Sequence, residues 1–278
     1  MKKKGITLLT SALIVLGGCT AVADLAGYDS ATLNQAAAKN YTQVVSQAKS
    51  SRVVDTTSDT ARRIQAVFRR MRPFAEAANR TGQPFNWEMT VIRSKELNAW
   101  AMPGGKMAFY TGMVETLNLS DAEIAAVVGH EMTHALLEHS KKAAGQQILT
   151  GLATQIGGQV LQAKTGVSAD TVNLGANILS EYGIGKPFSR SQESEADAGG
   201  LRLMAQAGYN PEAAVSLWEK MNKIQDNNTL ANSILSTHPT NNTRIADLKR
   251  LLPEVMPIYE QSRKAQTSGT AAASRRRR

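Results

Sequence analysis

The sequence predicts an α+β protein that is mainly helical with a small sheet, and three stretches support this fold class. Apolar residues recur at helical spacing across residues 61–78 and again across residues 120–139. Between them the pattern changes at residues 85–113, where Trp87, Met89 and Val91 alternate with period two and Pro-Gly-Gly at 103–105 marks a turn. We therefore expect a hairpin that packs on the second helix, within one domain that spans residues 59–262.

The composition fits a globular domain with an aliphatic core. Hydrophobic residues make up 42% of the chain and aromatic residues only 5%, so Leu, Ile, Val, Met and Ala must fill the core. The net charge is +9, but Lys2–Lys4 and Arg275–Arg278 place much of it at the two ends. Because no basic stripe runs through mid-chain, we expect no nucleic-acid binding. The single cysteine, Cys19, excludes an intramolecular disulfide and a cysteine-rich zinc finger.

The N-terminus has the pattern of a targeting segment. Lysines at 2–4 precede an apolar run at 6–16, which is too short to span a bilayer as a mature helix. A membrane anchor or a buried N-terminal helix is the alternative. Residues 16–19 (Leu-Gly-Gly-Cys) resemble the lipobox of bacterial lipoproteins, which implies cleavage before Cys19 and lipid on it. Since Thr20 is not acidic, the resemblance also implies anchoring at the outer membrane, on the periplasmic side.

Three segments flank the predicted domain. By the same resemblance, residues 1–18 form the signal peptide. Residues 19–58 are rich in Ala, Ser, Thr and Gln, and we expect a tether with a weak helix at about Ser30–Ser50. Residues 263–278 are polar and end in four arginines, which predicts a disordered basic tail. This tail has two open roles, contact with anionic lipid or with an envelope polymer.

Residues 130–134, His-Glu-Met-Thr-His, form an H-E-x-x-H motif in an apolar, helix-compatible run. On a helix, His130 and His134 lie about 40° apart and roughly 6 Å along the axis, so both can face one metal ion. Glu131 flanks the same face, where it can take a proton from a water on that metal. This arrangement is typical of hydrolytic zinc chemistry. A chance match in a structural protein is the alternative.

The helix that carries the motif has a clear predicted start. Ser120 followed by Glu123 forms a capping box, and the helix is expected to end near His139. The position of His139 near that end favours a surface or helix-dipole role over ligation. His238 precedes a proline and is therefore expected in an extended loop, where a surface role is the ordinary one.

A further helix is predicted to open at residues 189–197, with two carboxylates on one face. Glu193 and Asp197 are four residues apart. If Glu193 ligates the metal, the His₂Glu set of a catalytic zinc site is complete, and Asp197 can hold a ligand imidazole. The alternative is a solvated acidic helix start, which we expect for Glu195.

Two segments could cover or serve this site. Asn98–Met102 and Lys106–Tyr110 are predicted as the strands of the hairpin, and its edge could pair with an extended peptide or merely cover the core. The two interpretations are equal on the pattern alone. Ala143–Gln162 contains no charged residue, and its apolar stripe favours a core helix over a mobile lid or interfacial element.

Four ordered motifs together resemble the HtpX/Ste-type zinc metallopeptidases, in particular their bacterial envelope lipoprotein branch. They cover about residues 60–255. The motifs are H-E-x-x-H at 130–134, E-x-x-A-D at 193–197, Asn-Ala-Trp-Ala-Met-Pro-Gly-Gly at 98–105 and Thr-His-Pro at 237–239, followed by Arg244 and Ile245.

The resemblance implies a gluzincin-like metallopeptidase domain. It implies zinc (Zn) held by His130, His134 and Glu193, with Glu131 as general base. It also assigns Asp197 to support a ligand histidine and His238 to approach the zinc and help gate activity. The edge strand would bind substrate through Asn98, Ala99, Trp100 and Ala101.

We expect a lipid-anchored endopeptidase that degrades unfolded or misassembled envelope proteins, with the outer-membrane assembly machinery as a possible partner. The alternative from another class is an envelope chaperone or scaffold lipoprotein with little or suppressed proteolysis. A third interpretation, the chance motif, predicts no stoichiometric zinc.

Overall fold

The computed structural model describes residues 18–158, 187–224, 232–238 and 242–276, and these residues confirm a mainly helical α+β fold with a three-stranded sheet. In chain order the elements are α1 (residues 18–25), α2 (Ser30–Ser50), α3 (Asp59–Ala78), β1 (Glu88–Ile92), β2 (Ala99–Met102), β3 (Lys106–Tyr110), α4 (Thr111–Leu117), α5 (Asp121–Leu136), α6 (His139–Gly158), α7 (Arg190–Gln206), α8 (Glu212–Ile224), α9 (Asn232–Thr237) and α10 (Asn242–Arg276).

The predicted hairpin is present and forms one side of the sheet. β2 and β3 pair antiparallel, with Trp100 opposite Ala108, and a short 3₁₀ turn at Pro103–Gly105 joins them. Gly104 and Gly105 both have positive φ, 75° and 81°, which explains the two glycines. β1 pairs in parallel with β3 on its other side, so β3 is central and β2 is an edge strand.

The helix that carries the metal-binding motif, α5, lies at the centre of the main core. It packs against α7, α3 and α8 and against strand β2. The capping box predicted from the sequence starts it, since the Ser120 hydroxyl accepts from the Glu123 amide and the Glu123 carboxylate accepts from the Ser120 amide. Residues 123–135 are all buried, so this helix is enclosed on every side.

The crossing of α5 and α7 depends on glycines. A Cβ at Gly200 would lie 2.8 Å from the His130 amide nitrogen, and one at Gly129 would lie 2.9 Å from the Gly200 carbonyl oxygen. No real Cβ contact is that short, so the two backbones approach closely only because neither residue has a side chain. The close crossing brings the N-terminal part of α7 beside His130 and His134.

The segment expected to be a tether is part of the folded body. Helix α2 has the bounds that the sequence predicted, but Leu33 and Tyr41 are buried in a second core cluster against the sheet. The Tyr41 ring packs edge-on against Trp100, with ring centroids 6.2 Å apart, and its hydroxyl lies 2.6 Å from the Thr90 hydroxyl. The polar composition of this stretch concealed one apolar face.

The end of α5 differs from the sequence prediction. α5 ends at Leu136, not near His139, because Glu138 takes a left-handed φ of 52° and the chain starts a new helix at His139. Strand β3 ends at Tyr110, as predicted, and α4 begins directly after it at Thr111. A Cβ on Gly112 would lie 2.5 Å from the Lys95 carbonyl, so this glycine permits close packing.

The predicted disordered tail also differs from the structure, in which α10 continues to Arg276. Gln266 lies in this extension and accepts a hydrogen bond from Arg70 at 2.8 Å, which ties the helix to α3. Alanine, glutamine and lysine favour helix, which outweighs the polarity of the segment. The predictions for residues 1–17, 159–186 and 225–231 lie outside the described residues. Within the described ranges, no helix has the length and apolar character needed to cross a bilayer.

Candidate metal centre

Two histidines of α5 form the base of a buried cluster. His130 is 6% exposed and His134 is 3% exposed, and their Nε2 atoms lie 3.0 Å apart. They are one helical turn apart, so the regular α5 backbone alone brings them to the same face. Glu131 is also buried and flanks this face, as the motif predicted.

Helix α7 brings a carboxylate to the two histidines. The Ser189 side chain caps this helix, and Glu193 follows in its first turn. Glu193 Oε1 lies 3.4 Å from His134 Nε2, and Oε2 lies 3.5 Å from His130 Nε2. The solvated acidic helix start that was the alternative for Glu193 is therefore excluded, because its carboxylate is buried.

His238 completes the cluster from a third direction. It follows α9, and its amide donates to the Ile234 carbonyl at 2.7 Å. Its Nδ1 lies 3.2 Å from His130 Nε2 and 2.9 Å from Glu193 Oε1. The surface position expected from its proline neighbour is wrong, because only 3% of His238 is exposed. The extended backbone before a proline did not indicate which way the side chain would point.

The four side chains fit a tetrahedral metal ion. His130, His134, Glu193 and His238 each offer one ligand atom, and these atoms all lie within 4.8 Å of one another. Ligands about 2.0–2.1 Å from a tetrahedral zinc lie about 3.3–3.4 Å apart, and the nearest contacts in the cluster scatter around that value. Three imidazoles and a carboxylate suit zinc among the biological metals.

Asp197 and Arg244 hold the ligands in place. His130 Nδ1 donates to Asp197 Oδ1 at 2.9 Å, which leaves Nε2 with a lone pair toward the cluster. Arg244 donates to both Asp197 oxygens at 2.8 Å and lies over the Trp218 ring, 3.6 Å from its centroid. Arg244 Nη1 also lies 2.7 Å from Glu193 Oε2, although that oxygen makes no aligned hydrogen bond.

The electrostatics of the cluster favour positive charge. Burial opposes ionisation of Glu193, but His238 and His130 outweigh it and hold its pKa far below the ordinary value. Burial alone would lower the pKa of His130, but Glu193 and Asp197 raise it to about 9. The carboxylates thus stabilise a cation among these side chains, which is what a divalent metal supplies.

Glu131 is placed for proton transfer and is not part of the ligand set. Its Oε1 lies 3.4 Å from His238 Nε2. Burial raises the pKa of its carboxyl, which moves it toward the range that suits a general base near neutral pH. A small apolar cavity of about 20 Å³, room for about one water, lies beside His130 and Glu131.

The sequence did not predict two rings that contact His134, one aromatic and one imidazole. Phe188 stacks on His134 with ring centroids 4.0 Å apart. His139 is fully buried, so its predicted surface role is wrong, and its Nδ1 lies 2.8 Å from His134 Nδ1. The left-handed turn at Glu138 causes this placement, and no motif in the sequence signals it.

The remaining predicted site residues are not among the four clustered side chains. Asn98 and strand residues Ala99, Trp100 and Ala101 are buried, and their strand β2 is the edge strand that packs on α5. Cys19 is partly exposed in α1, and its carbonyl oxygen would lie 1.8 Å from a Cβ at Gly145. The start of α6 therefore touches the residue predicted to carry lipid.

The helix-borne His/Glu cluster and the small sheet define a gluzincin-like metallopeptidase domain. The chain belongs to peptidase family M48, whose model matches residues 58–252. It is similar to mitochondrial metalloendopeptidase OMA1 of Schizosaccharomyces pombe, with 34% identity over 63% of this chain and 50% of the relative. The chain spans half or less of the length of this protein and of OMA1 of Arabidopsis thaliana.

Two bacterial relatives match over more of their length. Metalloprotease LoiP of Escherichia coli is 27% identical over 90% of this chain and 96% of LoiP. Metalloprotease YcaL of the same organism is 27% identical over 81% of this chain and 84% of YcaL. The similarity to LoiP thus extends beyond the M48 domain into the N-terminal segment.

Proposed function

We propose that this chain is a zinc-dependent endopeptidase that hydrolyses peptide bonds. The observation that carries the proposal is the buried cluster of His130, His134 and Glu193, with Glu131 beside it and outside the ligand set. Hydrolysis requires a general base, and a buried carboxylate beside the ligands and outside the ligand set is placed to act as one. The family and the printed names of LoiP and OMA1 support the same reaction class.

His130, His134 and Glu193 would hold the metal. Zinc, when bound, acidifies a coordinated water to a pKa of about 7 and polarises the peptide carbonyl. Glu131 takes the proton of the attacking water and later delivers it to the leaving amine. Arg244 is committed to Asp197 and Glu193, so it is not available to stabilise the oxyanion.

The test of this function is Glu131→Gln in the full chain, with Glu115→Gln, an exposed acid on α4, as the matched control. We expect Glu131→Gln to keep its zinc and to lose about 10²–10⁴-fold in peptide cleavage, which is what a general base contributes. Cleavage of an unfolded protein at the wild-type rate by this variant would overturn the mechanism.

His238 is proposed as an exchangeable ligand that closes the site. Catalytic zinc sites keep one position open, whereas His238 Nδ1 occupies the fourth corner here. Its withdrawal would open that position for water and substrate. His238→Phe should therefore alter the turnover rate without loss of zinc, and loss of zinc on that substitution would show that His238 is a fixed structural ligand.

The cellular setting is proposed from the N-terminal sequence. Lipid on Cys19 would anchor the protein to the periplasmic side of the outer membrane, within the envelope lipoprotein branch of the HtpX/Ste-type enzymes that contains LoiP and BepA. Support comes from the lipobox-like residues 16–19 and the full-length similarity to LoiP. Cys19→Ala should release the protein from the membrane fraction and abolish incorporation of labelled palmitate; unchanged fractionation and labelling would refute lipidation.

The proposed substrates are unfolded or misassembled envelope proteins, held as an extra strand on β2. Support comes from the edge position of β2 in the sheet and its packing on α5. The closed site favours one alternative, an envelope chaperone or scaffold that rarely hydrolyses. Glu131→Gln separates the two, because a scaffold keeps its cellular phenotype with this substitution and an enzyme loses it.

A further inference from the structure

His139 begins α6, five residues after the second histidine of the motif, and it is the one buried histidine to which no chemistry has been assigned among the described residues. None of its surface is exposed. Its Nδ1 lies 2.8 Å from Nδ1 of His134, and its Nε2 lies 3.2 Å from Glu195 Oε2. The imidazole therefore stands between a metal-site histidine and a carboxylate.

The hydrogen-bond partners assign the protons along this chain of groups. An ionised carboxylate only accepts, so His139 Nε2 carries a proton and donates to Glu195. A neutral imidazole carries one proton, here on Nε2, so the Nδ1 of His139 is an acceptor. His134 Nδ1 must then donate to it, which leaves a lone pair on His134 Nε2, the atom that faces the cluster.

The two histidines of the motif are thus oriented by different groups. His130 donates its outer nitrogen to a carboxylate, that of Asp197. His134 donates its outer nitrogen to an imidazole, that of His139, and the carboxylate of Glu195 stands one group further out. In both arrangements the ligand histidine donates its outer proton, and in both the final acceptor is a carboxylate.

The position of His139 is fixed from three sides. The left-handed backbone at Glu138 turns the chain back toward α5. Gln192 of α7 donates from Nε2 to the His139 carbonyl at 3.2 Å, and Lys142 lies 3.0 Å from Glu195 Oε2. These contacts tie the start of α6 to the helix that supplies Glu193, so His139 links two ligand-bearing helices.

We propose that His139, supported by Glu195, is a positioning residue that fixes the tautomer and ring orientation of His134 for zinc. The proposal rests on the proposed function, because it needs zinc as the metal. Groups of this kind typically change metal affinity 10–100-fold when they are removed.

The test compares two substitutions of His139 in the full chain. Asn places an amide oxygen close to the position of Nδ1 and so keeps a hydrogen-bond acceptor there. Phe keeps the ring shape but has no acceptor. We expect zinc affinity, measured by chelator competition, to fall about 10–100-fold in His139→Phe and only a few-fold in His139→Asn. A purely structural role would not be rescued by Asn, so equal losses would overturn the proposal, as would wild-type affinity in His139→Phe.

A second pair of variants covers the case in which His139→Phe does not fold. Glu195→Gln removes the charge behind His139, and Glu219→Gln makes the same change at a similarly exposed site on α8. We expect Glu195→Gln to weaken zinc binding several-fold and Glu219→Gln to leave it unchanged; equal affinities would overturn the proposal. Failure of the wild type itself to bind zinc would instead refute the proposed function.

Discussion

At the residue scale, the charges around Glu193 decide what the buried cluster binds. Two carboxylates, Glu193 and Asp197, face three imidazoles and one guanidinium in a volume that excludes solvent. Uncompensated carboxylates in such a place would be costly. Arg244 neutralises part of their charge, and a cation bound at the imidazole nitrogens would neutralise more of it.

Removal of the Arg244 guanidinium should lower the stability of the protein. We expect Arg244→Met to lower the free energy of unfolding by about 3–5 kcal/mol, because it leaves two buried carboxylates without their partner. Arg250→Met removes an arginine from an exposed pair with Asp247 and should cost less than about 1 kcal/mol. Urea unfolding of both variants in chelator measures the difference, and equal values would refute the role of Arg244.

At the element scale, the crossing of α5 and α7 brings the residues of the site together. α5 supplies the two proposed histidine ligands and the proposed general base, and α7 supplies the proposed third ligand. The glycines at 129 and 200 set the distance between the two helices. Because this distance is set by backbone contact, it can change only if a helix moves.

A methyl group at the crossing should therefore disturb both stability and metal binding. In Gly200→Ala the new Cβ would lie 2.8 Å from the His130 amide, and overpacking of this kind costs about 1–3 kcal/mol. We expect zinc affinity to fall with it, because Glu193 moves with α7. Arg202→Ala, at an exposed position of the same helix, is the control. A Gly200→Ala variant as stable as wild type would contradict the account of the crossing.

The Glu123 carboxylate at the start of α5 makes the free energy of unfolding depend on pH. Burial opposes ionisation of Glu123, but Lys220, Ser120 and Ser216 outweigh it and lower its pKa. Its folded pKa is below the unfolded value, so its contribution is fully present above about pH 4.5 and is lost as pH falls further. Glu123→Gln should lower the unfolding free energy at pH 7 by about 1–3 kcal/mol.

The same substitution should flatten the loss of stability below pH 4.5. Denaturant unfolding between pH 3 and 7 measures both effects. If the variant and the wild type lose stability in parallel with acid, then Glu123 is not the group that titrates.

Many of the helices, strands and site residues are predictable from local sequence patterns. The exceptions depend on features of the structure that local patterns do not encode. The Ser120–Glu123 box, the two strands beside the Pro-Gly-Gly turn and the motif spacing are local signals, and each matched the structure. The burial of His238 and His139 depends on contacts distant in sequence or on one unusual φ, which no local pattern encodes. The spacing of Glu193 and Asp197 offered a third ligand, and the family resemblance favoured it over a solvated acidic helix start.

At the scale of the whole molecule, the N-terminal segment and the peptidase domain form one body. Helix α2 lies before the matched family region, 58–252, yet its apolar face covers the sheet. The buried Lys141 of α6 reaches back to Asp24 at 2.7 Å and to Ser30 at 3.1 Å. The N-terminal segment therefore packs on the helix that starts with His139.

Loss of this packing should destabilise the entire protein. Tyr41→Ala removes a buried ring and should lower the unfolding free energy by about 3–5 kcal/mol. Gln43→Ala, on the exposed side of the same helix, should change it by less than about 0.5 kcal/mol. A single cooperative transition in which Tyr41→Ala costs no more than Gln43→Ala would mean that residues 30–50 are a tether after all.

The central claim is that His130, His134 and Glu193 bind zinc, and metal content tests it most directly. Elemental analysis of the purified chain should give one zinc per molecule for the wild type and little or none for Glu193→Ala. Zinc missing from the wild type would contradict the metal centre itself. Full occupancy in both proteins would show that the third ligand is another residue.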